Sequence, residues 1–329
     1  MLTDLSANPK GLLLVFNAMK TLVTGGAGFI GSHLCDALLD RGDEVTILDN
    51  LSSGSLENLS SALANGADLI EGDIRDTAFV HETVKSVNPS TIFHLAAQGE
   101  VRRSIDEPSF DASVNVVGTV NLIDAGQAVG LDRFVFASTG GAIYGEGSRL
   151  DLPATEDSTL EPLCPYGLSK LVGEKYLELY RRMYMFNAVS LRFGNVYGPR
   201  QNPKGEAGAV AIFGELLKAG RQPTVFGDGE QTRDFVYIKD LIDAILTASR
   251  TDVEGPLNIG TGVEVSLLEM IGELAKHGTN GNSFEPTFAE KKPGEVRRIS
   301  IDPTRASKEL GWNATTSLGD GLKLTLDAL

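Results

Sequence analysis

Short apolar runs alternate with amphipathic segments along the chain from residue 20 onward. The runs are nearly continuous in hydrophobic residues, which is typical of strands buried on both faces of a parallel sheet. They read KTLVT, EVTILD, DLIEGDI, TIFHLAA, RFVFAST and AVSLRFGNVYG. Helical patterns separate several of them, most clearly IGSHLCDALLDRG and ASVNVVGTVNLIDAGQAVG. This β-α-β alternation predicts an α/β fold with a doubly wound parallel sheet of six or seven strands, covered by helices on both faces.

The texture of the sequence changes after about Tyr197. Segments such as GPRQNPKGEAG, FGDGEQTRDF and EKKPGEVRR are rich in Gly, Pro and charge, which is typical of loops. We therefore expect residues 19–197 to form the sheet domain. Residues 198–329 should form mainly a smaller, loop-rich α/β lobe, with segments that return to the sheet domain. Residues 1–18 stand apart as an N-terminal extension, because their apolar core, Leu12–Phe16, is short for a secretory signal.

The composition narrows the possible partners. The chain has 329 residues and a net charge of −15, from 29 basic and 44 acidic residues. Because nucleic-acid-binding proteins need a basic face, no nucleic-acid partner is expected. No apolar run approaches the ~18 residues that a membrane helix needs, so no membrane role is expected either. Cys35 and Cys164 make no disulfide framework and the four histidines show no ligand spacing, so we expect no metal and a reducing cytoplasm.

A glycine-rich turn follows the first predicted strand and opens the first predicted helix. In TGGAGFIGSHL, the spacing of Gly25, Gly28 and Gly31 lets the backbone turn tightly and approach a pyrophosphate, which would sit on helix N–H groups. The second strand ends in Asp49, 24 residues after Gly25, where a carboxylate can accept from a ribose 2′-hydroxyl. A 2′-phosphate would clash there, and NLSSG offers no arginine to receive one. This pattern predicts NAD rather than NADP, the alternative for Asp49 being a strand-end helix cap.

Polar and small residues follow two further predicted strands. Asp73 and Ile74 in EGDIRD, and Ala96, Ala97 and Gln98 in HLAAQ, come where those strands end. A doubly wound sheet binds ligands at this edge. We expect Asp73 to receive an adenine amino group and the alanines to permit close approach of a nicotinamide ribose.

A candidate reactive group lies on the helix predicted from CPYGLSKLVGEKYLELYRR. Pro165 suits its first turn, and Tyr166 and Lys170 are four residues apart and share one face. A tyrosine becomes a useful base when its pKa of about 10 falls toward 7, and a neighbouring ammonium, an oxidised nicotinamide and the helix N-terminus all favour that fall. Thr139 ends a predicted strand 27 residues before Tyr166. A solvated helix face is the alternative interpretation of the Tyr-Lys pair, and the dinucleotide fingerprint favours catalysis.

With these residues in place, the chain resembles the extended short-chain dehydrogenase/reductase (NAD-dependent epimerase/dehydratase) family, and within it the UDP-glucose 4-epimerases, also called UDP-galactose 4-epimerases. The likeness runs from Met19 to near Trp312. It is carried, in order, by TGGAGFIGSHL, LDNLSSG, GDIRD, FHLAAQ, NVVGTVNLIDA, ASTGGAIYGE, PYGLSK, LRFGNVYGPRQ, GEAGAVAIF, FGDGEQTRDFVYIKD and NIGTG. The resemblance implies a Rossmann-type NAD-binding domain over residues 19–197, which includes the Tyr-Lys helix, and a nucleotide-sugar-binding lobe over most of 198–329.

The resemblance also implies the reaction and its catalytic residues. Tyr166 would take the proton of the sugar 4-hydroxyl while hydride leaves C4 for the nicotinamide, which gives a transient 4-keto sugar. Thr139 would hydrogen-bond the reacting oxygen, and Lys170 would hold the nicotinamide ribose and lower the tyrosine pKa. Because hydride returns to the other face of C4, a tightly held NAD is regenerated in each cycle.

Within the matching segments, further family contacts fall on residues of this chain. For the cofactor they are Gly25, Gly28, Phe29, Ile30, Gly31, Asp49, Asn50, Ser53, Gly54, Asp73, Ile74, Leu95, Ala96, Ala97, Gln98, Asn115, Ser138, Tyr166 and Lys170. For the UDP-sugar they are Thr139, Tyr166, Asn195, Ala209, Val210, Thr224, Val225, Phe226, Arg233, Lys292, Glu295 and Ile299. Arg233 matches the family's diphosphate arginine, the alternative being an ion pair with Asp234. A core role alone is the alternative for Val210 and Phe226.

Three positions depart from the family pattern. Lys292 stands where the family often has arginine, and Glu295 where it often has aspartate. A lysine binds phosphate without a bidentate fork, and Arg297 is the candidate to compensate. Ile299 matches the residue that decides which sugars enter, with Ser300 as the alternative alignment. Isoleucine is intermediate in size, so the resemblance leaves the preferred sugar open.

The residues after Thr139 distinguish the possible outcomes of the oxidation. Related 4,6-dehydratases carry acids there that drive loss of water, and decarboxylating relatives carry a glutamate, whereas this chain has Gly140 and Gly141. The sequence therefore predicts 4-epimerisation of UDP-glucose and UDP-galactose, in galactose metabolism. Epimerases of UDP-N-acetylglucosamine or UDP-glucuronate, a 4,6-dehydratase, a net oxidoreductase and a non-catalytic NAD-sensing regulator stay open as alternatives.

The resemblance also predicts a homodimer. The helices in DASVNVVGTVNLIDAGQAVG and LSKLVGEKYLELYRRM match those through which the family pairs by a four-helix bundle. Packing on the sheet alone is the alternative role for their apolar positions.

Overall fold

The computed structural model describes residues 18–203, 208–278, 284–290 and 296–329. The strands in these residues are β1 (Lys20–Thr24), β2 (Glu44–Asp49), β3 (Asp68–Glu71), β4 (Thr91–His94), β5 (Arg133–Thr139), β6 (Ala188–Phe193), β7 (Asn195–Tyr197), β8 (Thr224–Phe226), β9 (Thr232–Arg233), β10 (Phe235–Tyr237), β11 (Gly255–Ile259), β12 (Val265–Ser266) and β13 (Thr287–Ala289). The helices are α1 (Phe29–Asp40), α2 (Ser60–Ala64), α3 (Thr77–Val87), α4 (Val101–Asp106), α5 (Pro108–Ala112), α6 (Thr119–Val129), α7 (Gly140–Ile143), α8 (Pro165–Tyr184), α9 (Ala209–Lys218), α10 (Ile238–Ala248), α11 (Leu267–Gly278), α12 (Thr304–Leu310) and α13 (Leu318–Ala328). A π-helical segment, Ser113–Gly118, runs between α5 and α6, and a 3₁₀ turn spans Gly147–Arg149.

Seven strands form the main sheet, in the order β11-β6-β5-β4-β1-β2-β3. Every pairing in it is parallel. The predicted doubly wound α/β fold is therefore confirmed, with seven strands. The direction of winding reverses between β1 and β4, and the loops that leave these two strands diverge there. Such a crevice at the carboxyl edge of the sheet is where this class of fold binds ligands.

Successive residues of the central strands face opposite sides of the sheet, so each strand contributes to two separate cores. Leu22, Ile92 and Phe134 pack with α3, α6 and α8 on one side. Val23 and Phe93, one residue further along their strands, pack with α1 and α10 on the other. This two-sided burial explains why the sequence shows continuous apolar runs rather than alternation.

The last third of the chain does not stay apart from the sheet. β11 pairs with β6, with Leu257 opposite Leu191, and so completes the edge of the main sheet. Shorter pairings, β7 with β10, β8 with β13 and β9 with β12, build the lobe above the carboxyl edge. Among the residues described, no helix is both long and apolar enough to cross a membrane.

Candidate active site

The glycine-rich turn between β1 and α1 is packed so closely that two of its glycines cannot be replaced without movement. Gly25 has φ +72°, and an added Cβ would lie 2.5 Å from the backbone N of Ala96. At Gly31 it would lie 2.1 Å from the backbone O of Gly25. At Gly28 the nearest atom of the described residues, apart from the chain neighbours, would be the Gly25 carbonyl oxygen at 3.2 Å. The turn is therefore tight on its inner side and accessible at Gly28, where α1 begins.

The start of α1 and the Asp49 carboxylate suit a dinucleotide. The first turn of α1 contains no acidic side chain, so the positive end of its dipole is available to an anion. Asp49 Oδ2 accepts from Ala27 N at 2.9 Å, and Oδ1 accepts from Leu51 N at 2.8 Å. Each oxygen keeps a further lone pair for a ribose hydroxyl. Asp49 thus braces the glycine turn in addition to the role that the sequence predicts.

The segment after Asp49 folds back over the glycine turn. Ser55 N donates to Ala27 O at 3.0 Å, and a Cβ at Gly54 would lie 2.6 Å from the Ala27 Cβ. The cradle is thus shaped by backbone packing of Gly25, Gly31 and Gly54, and a side chain at any of them would fill it. This shape and its donors fit a dinucleotide.

Asp73 lies beside the same segment but is already engaged. Arg75 donates to it from its backbone N and Nε, each at 2.9 Å, and from Nη2 at 2.7 Å. Asn50 Nδ2 donates to it at 3.0 Å. The hydrogen bonds from Arg75, the largest cause, lower the pKa of Asp73 to about 2 despite partial burial. Sequence reasoning missed Arg75, although it lies two residues after Asp73 in the same motif.

Thr139, Tyr166 and Lys170 converge at the carboxyl end of β5. Thr139 is the last residue of β5, and Tyr166 lies in the first turn of α8 with Lys170 one turn later. Thr139 lies close enough to Tyr166 for its hydroxyl to lower the pKa of the phenol. Lys170 is buried, donates from Nζ to Ala137 O at 2.8 Å, and lies 4.9 Å above the centroid of the Phe136 ring. The tertiary structure therefore brings together the three residues that the sequence singled out.

The electrostatics of this group differ from the sequence expectation. Burial of its hydroxyl, with smaller contributions from Cys164 and Asp111, raises the pKa of Tyr166 to about 12, and the nearby Thr139 hydroxyl only partly offsets this. Burial lowers the pKa of Lys170 to about 8, against the opposing charge of Asp111. In the chain without NAD, burial therefore outweighs the fall of the tyrosine pKa that the sequence predicts, and the fall in the presence of the oxidised nicotinamide stays a prediction. The physical reason is that α8 is docked on the sheet, which removes water from both groups.

A buried polar network lies behind Thr139 and was not predicted from the sequence. Glu174, one turn after Lys170, accepts from Ser138 Oγ at 2.5 Å and from Arg192 Nε and Nη2 at 3.0 and 2.7 Å. Arg192 Nη1 also donates to Tyr144 Oη at 2.8 Å, and Tyr144 Oη donates to Asn258 Oδ1 at 2.7 Å. The Ser138 hydroxyl, predicted to contact the cofactor, is thus directed at Glu174. The only sequence signal was the i, i+4 spacing of Lys170 and Glu174.

The loop after β4 is held against the π-helical segment. Gln98 N donates to Asn115 Oδ1, and Asn115 Nδ2 donates to Gln98 O, both at 2.9 Å. Leu95 N donates to Thr24 O at 3.0 Å. These bonds place the predicted cofactor residues after β4 beside the glycine turn, at the point where the winding of the sheet reverses.

On the sugar side, Asn195 and Gly141 are neighbours of Thr139. A Cβ at Gly141 would lie 3.4 Å from Asn195 Oδ1 and 3.9 Å from Thr139 Oγ1, so this glycine faces the catalytic hydroxyl. At Gly140 a Cβ would lie 2.6 Å from Ile301 Cδ1. Only position 141 could therefore present a side chain to the site.

Several predicted sugar and nucleotide contacts are placed in the core. Val210 and Val225 are buried among apolar residues, so any contact with a ligand would come from their backbone. Ile299 is 1 % exposed and packs with Ile143 and Tyr144, so it does not line an open surface. The cause is that the chain around Ile299 pairs with the loop after β5, where Ala154 N donates to Ser300 O at 2.8 Å.

The remaining predicted residues lie on the lobe. Thr224 is exposed, while Ala209 and Phe226 are partly exposed. Arg233 is partly exposed and donates from Nη1 to Thr232 O at 2.7 Å. Lys292 and Glu295 lie outside the described residues.

Arg297 and Asp234 both have defined partners. Arg297 forms a bidentate pair with Asp228 at 2.5 and 2.9 Å. Asp234 is buried and accepts from Thr261 N at 2.8 Å and Ile301 N at 3.1 Å. Its carboxylate therefore holds together the two loops that contain Thr261 and Ile301.

Comparison with known proteins shows which family this chain is similar to. A family model described as "NAD dependent epimerase/dehydratase family" matches residues 21–260. A UDP-glucose 4-epimerase of Mycolicibacterium smegmatis is 45 % identical over 311 residues, which cover 94 % of this chain and 98 % of the relative. The crystal structure of a UDP-glucose 4-epimerase of Thermotoga maritima with UDP-glucose superimposes with a TM-score of 0.90 at 42 % identity, over 94 % of this chain and 97 % of the other. That of a Thermus thermophilus UDP-glucose 4-epimerase complex with NAD gives 0.87 at 39 % identity, over 94 % and 98 %.

Proposed function

The chain belongs to the NAD-dependent epimerase/dehydratase family, and from that premise we propose that it is a UDP-glucose 4-epimerase, which interconverts UDP-glucose and UDP-galactose with bound NAD. One observation carries the proposal: Thr139, Tyr166 and Lys170 meet at the end of β5 beside two glycines. The hydroxyls can handle a proton, and neither glycine carries an acid that could divert the oxidised sugar to another product.

NAD would be held by the cradle of Gly25, Gly28 and Gly31, with Asp49 accepting from the adenosine ribose. The loop after β4 and the π-helical segment would enclose the nicotinamide half. When bound, NAD supplies the oxidising centre that takes hydride from C4 of the sugar and returns it. Because the cofactor ends each cycle unchanged, a protein that holds it tightly needs no added NAD.

Tyr166 and Thr139 would handle the proton of the sugar 4-hydroxyl. Because the Thr139 hydroxyl acts on the pKa of Tyr166, it is near enough to orient Tyr166 and to bind the reacting oxygen. With a pKa of about 12 in the chain alone, Tyr166 is almost entirely protonated at neutral pH, and a positive charge beside it is needed to bring the pKa toward neutral. Lys170 is placed to orient the cofactor ribose rather than to pair directly with Tyr166, since its Nζ donates to Ala137 O.

The glycines after Thr139 favour epimerisation over elimination of water. Gly141 faces Thr139 and Asn195, so a carboxylate at this position would reach the sugar, and a glycine has no group that can give or take a proton. Gly140 packs against Ile301 and leaves no room for a side chain. Neither glycine can therefore promote elimination of water, which favours the return of hydride to the 4-keto sugar.

The UDP-sugar would lie between the sheet edge and the lobe. Arg233 is the proposed diphosphate ligand, since guanidinium groups bind phosphate oxygens by charge-assisted bonds. Asn195 is the proposed sugar contact, because it lies beside Gly141 and Thr139. Ile299 is proposed to limit sugar size through its packing on Ile143 and Tyr144, and not as a side chain that lines the site.

We also propose a homodimer in the cytoplasm that serves galactose metabolism. Leu168, Leu179 and Met183 of α8 are 53 %, 39 % and 56 % exposed, and Val117 of the π-helical segment is 48 % exposed. Their helical spacing puts the three α8 residues on one side, and a shared apolar face of this kind is typical of helix-helix pairing. Sedimentation of the protein and of Leu179→Glu tests this: a dimer that becomes a monomer supports it, and a monomeric wild type contradicts it.

The function is tested by proton NMR of the purified protein with UDP-galactose, UDP-N-acetylglucosamine or UDP-glucuronate, each without added NAD. Inversion at C4 of UDP-galactose is expected. Tyr166→Phe should lower the turnover by about 10²–10⁴-fold, whereas Tyr184→Phe, at the exposed end of α8, should leave it unchanged.

Other outcomes of the NMR experiment would change the proposal. Inversion of only an N-acetyl or uronate sugar would replace the proposed substrate. A 4-keto-6-deoxy product would overturn the argument from Gly141. Turnover that consumes added NAD stoichiometrically would identify a net oxidoreductase.

A further inference from the structure

A buried carboxylate that no sequence motif indicated lies against the catalytic helix. Asp111, in the short helix α5, is 0 % exposed. Its Oδ2 accepts from Ser169 Oγ at 2.6 Å, and its Oδ1 accepts from Asn115 Nδ2 at 2.8 Å and from Gln98 Nε2 at 3.2 Å. A carboxylate removed from water needs such partners, and all three belong to elements that surround the candidate active site.

The orientation of these partners defines the charge of Asp111. Asn115 Oδ1 accepts from Gln98 N, and Gln98 Oε1 accepts from Glu100 N at 2.7 Å, so backbone groups fix both amides with their NH₂ ends toward Asp111. The Ser169 hydroxyl is the third donor. A site that offers only donors to both carboxyl oxygens suits an ionised carboxylate and not a carboxylic acid.

This carboxylate joins three elements of the site. Ser169 precedes Lys170 on α8, Asn115 lies in the π-helical segment, and Gln98 belongs to the loop after β4. α5 and the π-helical segment both pack against α8. Single-turn π distortions are frequent at functional sites. The π-helical segment here carries Asn115, whose side chain donates to Asp111.

We propose that Asp111 is a positioning residue of the epimerase reaction: its buried carboxylate is the counter-charge that keeps Lys170 an ammonium and that keeps Tyr166 able to return its proton. The inference rests on the proposed function, because it assigns Tyr166 and Lys170 their roles. Tyr166 must accept the proton of the 4-hydroxyl when that O–H bond breaks, and must give it back when the bond re-forms. A negative charge nearby makes the phenol a better donor for the return step.

The groups that face Lys170 and Tyr166 support this assignment. The charge of Asp111 raises the pKa of Lys170 against the larger effect of burial, and it also raises the pKa of Tyr166. From β4, His94 faces Lys170, and burial, with a smaller contribution from that lysine, lowers the pKa of the imidazole. Cys164 adds to the effect on Tyr166. Glu174, the next acid along α8, is engaged by Arg192.

The test compares wild type with Asp111→Asn, which keeps the shape of the side chain and removes its charge. Both limbs of the pH profile of kcat/KM for UDP-galactose are expected to move to lower pH, by on the order of 1 unit. Ser169→Ala removes a hydrogen bond to Asp111 but keeps the charge, and its limbs are expected to stay in place. If Asp111→Asn lowers kcat/KM at every pH but leaves the pH positions of both limbs unchanged, the proposal is overturned, since a purely structural role gives that result.

A spectroscopic measurement separates this inference from the proposed function. The absorbance of the Tyr166 phenolate is measured as the difference between each protein and the same protein carrying Tyr166→Phe, over the pH range in which circular dichroism is unchanged. Asp111→Asn is expected to show about tenfold more phenolate than wild type at each pH below the midpoint. Equal phenolate fractions would overturn the inference even if the epimerase activity is present. If wild type shows no epimerase activity, the proposed function fails. The absorbance measurement still shows whether the charge of Asp111 affects the ionisation of Tyr166. Asp111→Ser, which removes the same charge, replaces Asp111→Asn if that variant does not fold.

Discussion

Lys170 is a buried cation whose presence should destabilise the fold in return for catalysis. It is 3 % exposed, and burial lowers its pKa from the ordinary 10.5 to about 8. A group whose pKa is lower in the folded than in the unfolded chain binds fewer protons when folded. Its penalty is therefore complete below about pH 8, decreases as the pH rises from 8 to 10.5, and vanishes above that. Lys170→Met, which keeps the length of the side chain and removes the charge, should relieve this penalty.

The magnitude follows from the two pKa values. At about 1.4 kcal/mol per pH unit, the fall from 10.5 to about 8 costs about 3 kcal/mol at pH 7 and about 1 kcal/mol at pH 10. The variant also loses the hydrogen bond from Nζ to Ala137 O, which contributes about 1 kcal/mol at either pH. Lys170→Met should therefore be more stable than wild type by about 2 kcal/mol at pH 7 and about equally stable at pH 10.

The assay is urea unfolding of NAD-free wild type and variant at pH 7 and pH 10, followed by circular dichroism. The change of the stability difference between the two pH values, about 2 kcal/mol, is the decisive quantity, because the hydrogen-bond contribution cancels in it. A difference that does not depend on pH, or a variant less stable at pH 7, would show that the ammonium is not penalised in the fold. The same variant should lose epimerase turnover, which separates stability from function.

Two further predictions concern the frame of the site. Glu174→Gln leaves the buried guanidinium of Arg192 without its carboxylate, so the free energy of unfolding in urea should fall by about 3–5 kcal/mol. The control Glu178→Gln, on the exposed side of α8, should change the free energy of unfolding by less than about 1 kcal/mol. Equal effects of the two substitutions would contradict the role of burial. Gly31→Ala places a Cβ 2.1 Å from the Gly25 carbonyl oxygen, so the purified protein should carry less NAD, measured as the nucleotide released by acid. Gly272→Ala in α11, where a Cβ would meet no other part of the described chain within 4 Å apart from its own helix, should retain the NAD. Equal NAD content in the two variants would show that the glycine turn tolerates a side chain.

The local features of this protein could be predicted from the sequence. The apolar runs and the amphipathic segments predicted the doubly wound sheet, because burial on two faces leaves a pattern within each strand. The spacing of Gly25, Gly28 and Gly31 and the i, i+4 pair of Tyr166 and Lys170 were also readable. Each depends on the backbone or on one turn of helix, where chain neighbours determine the geometry.

What the sequence could not determine depends on which distant elements become adjacent. Asp111 and Ser169 are 58 residues apart, and Glu174 and Arg192 are 18 apart; nothing in either segment identifies its partner before β4, β5, β6 and α8 are assembled. The raised pKa of Tyr166 in the chain without NAD could not be predicted for the same reason, since desolvation acts on a hydroxyl only once α8 is docked.

The position of Ile299 shows the same division. Its place in the chain suggested a side chain at the sugar, whereas the fold buries it in an apolar cluster with Ile143 and Tyr144. Periodicity and glycine spacing are properties of neighbouring residues, so the sequence by itself determined the fold class and the residue types of the site. Desolvation and buried pairing are properties of the assembled interior, so only the tertiary structure decided how these residues are charged and what holds them.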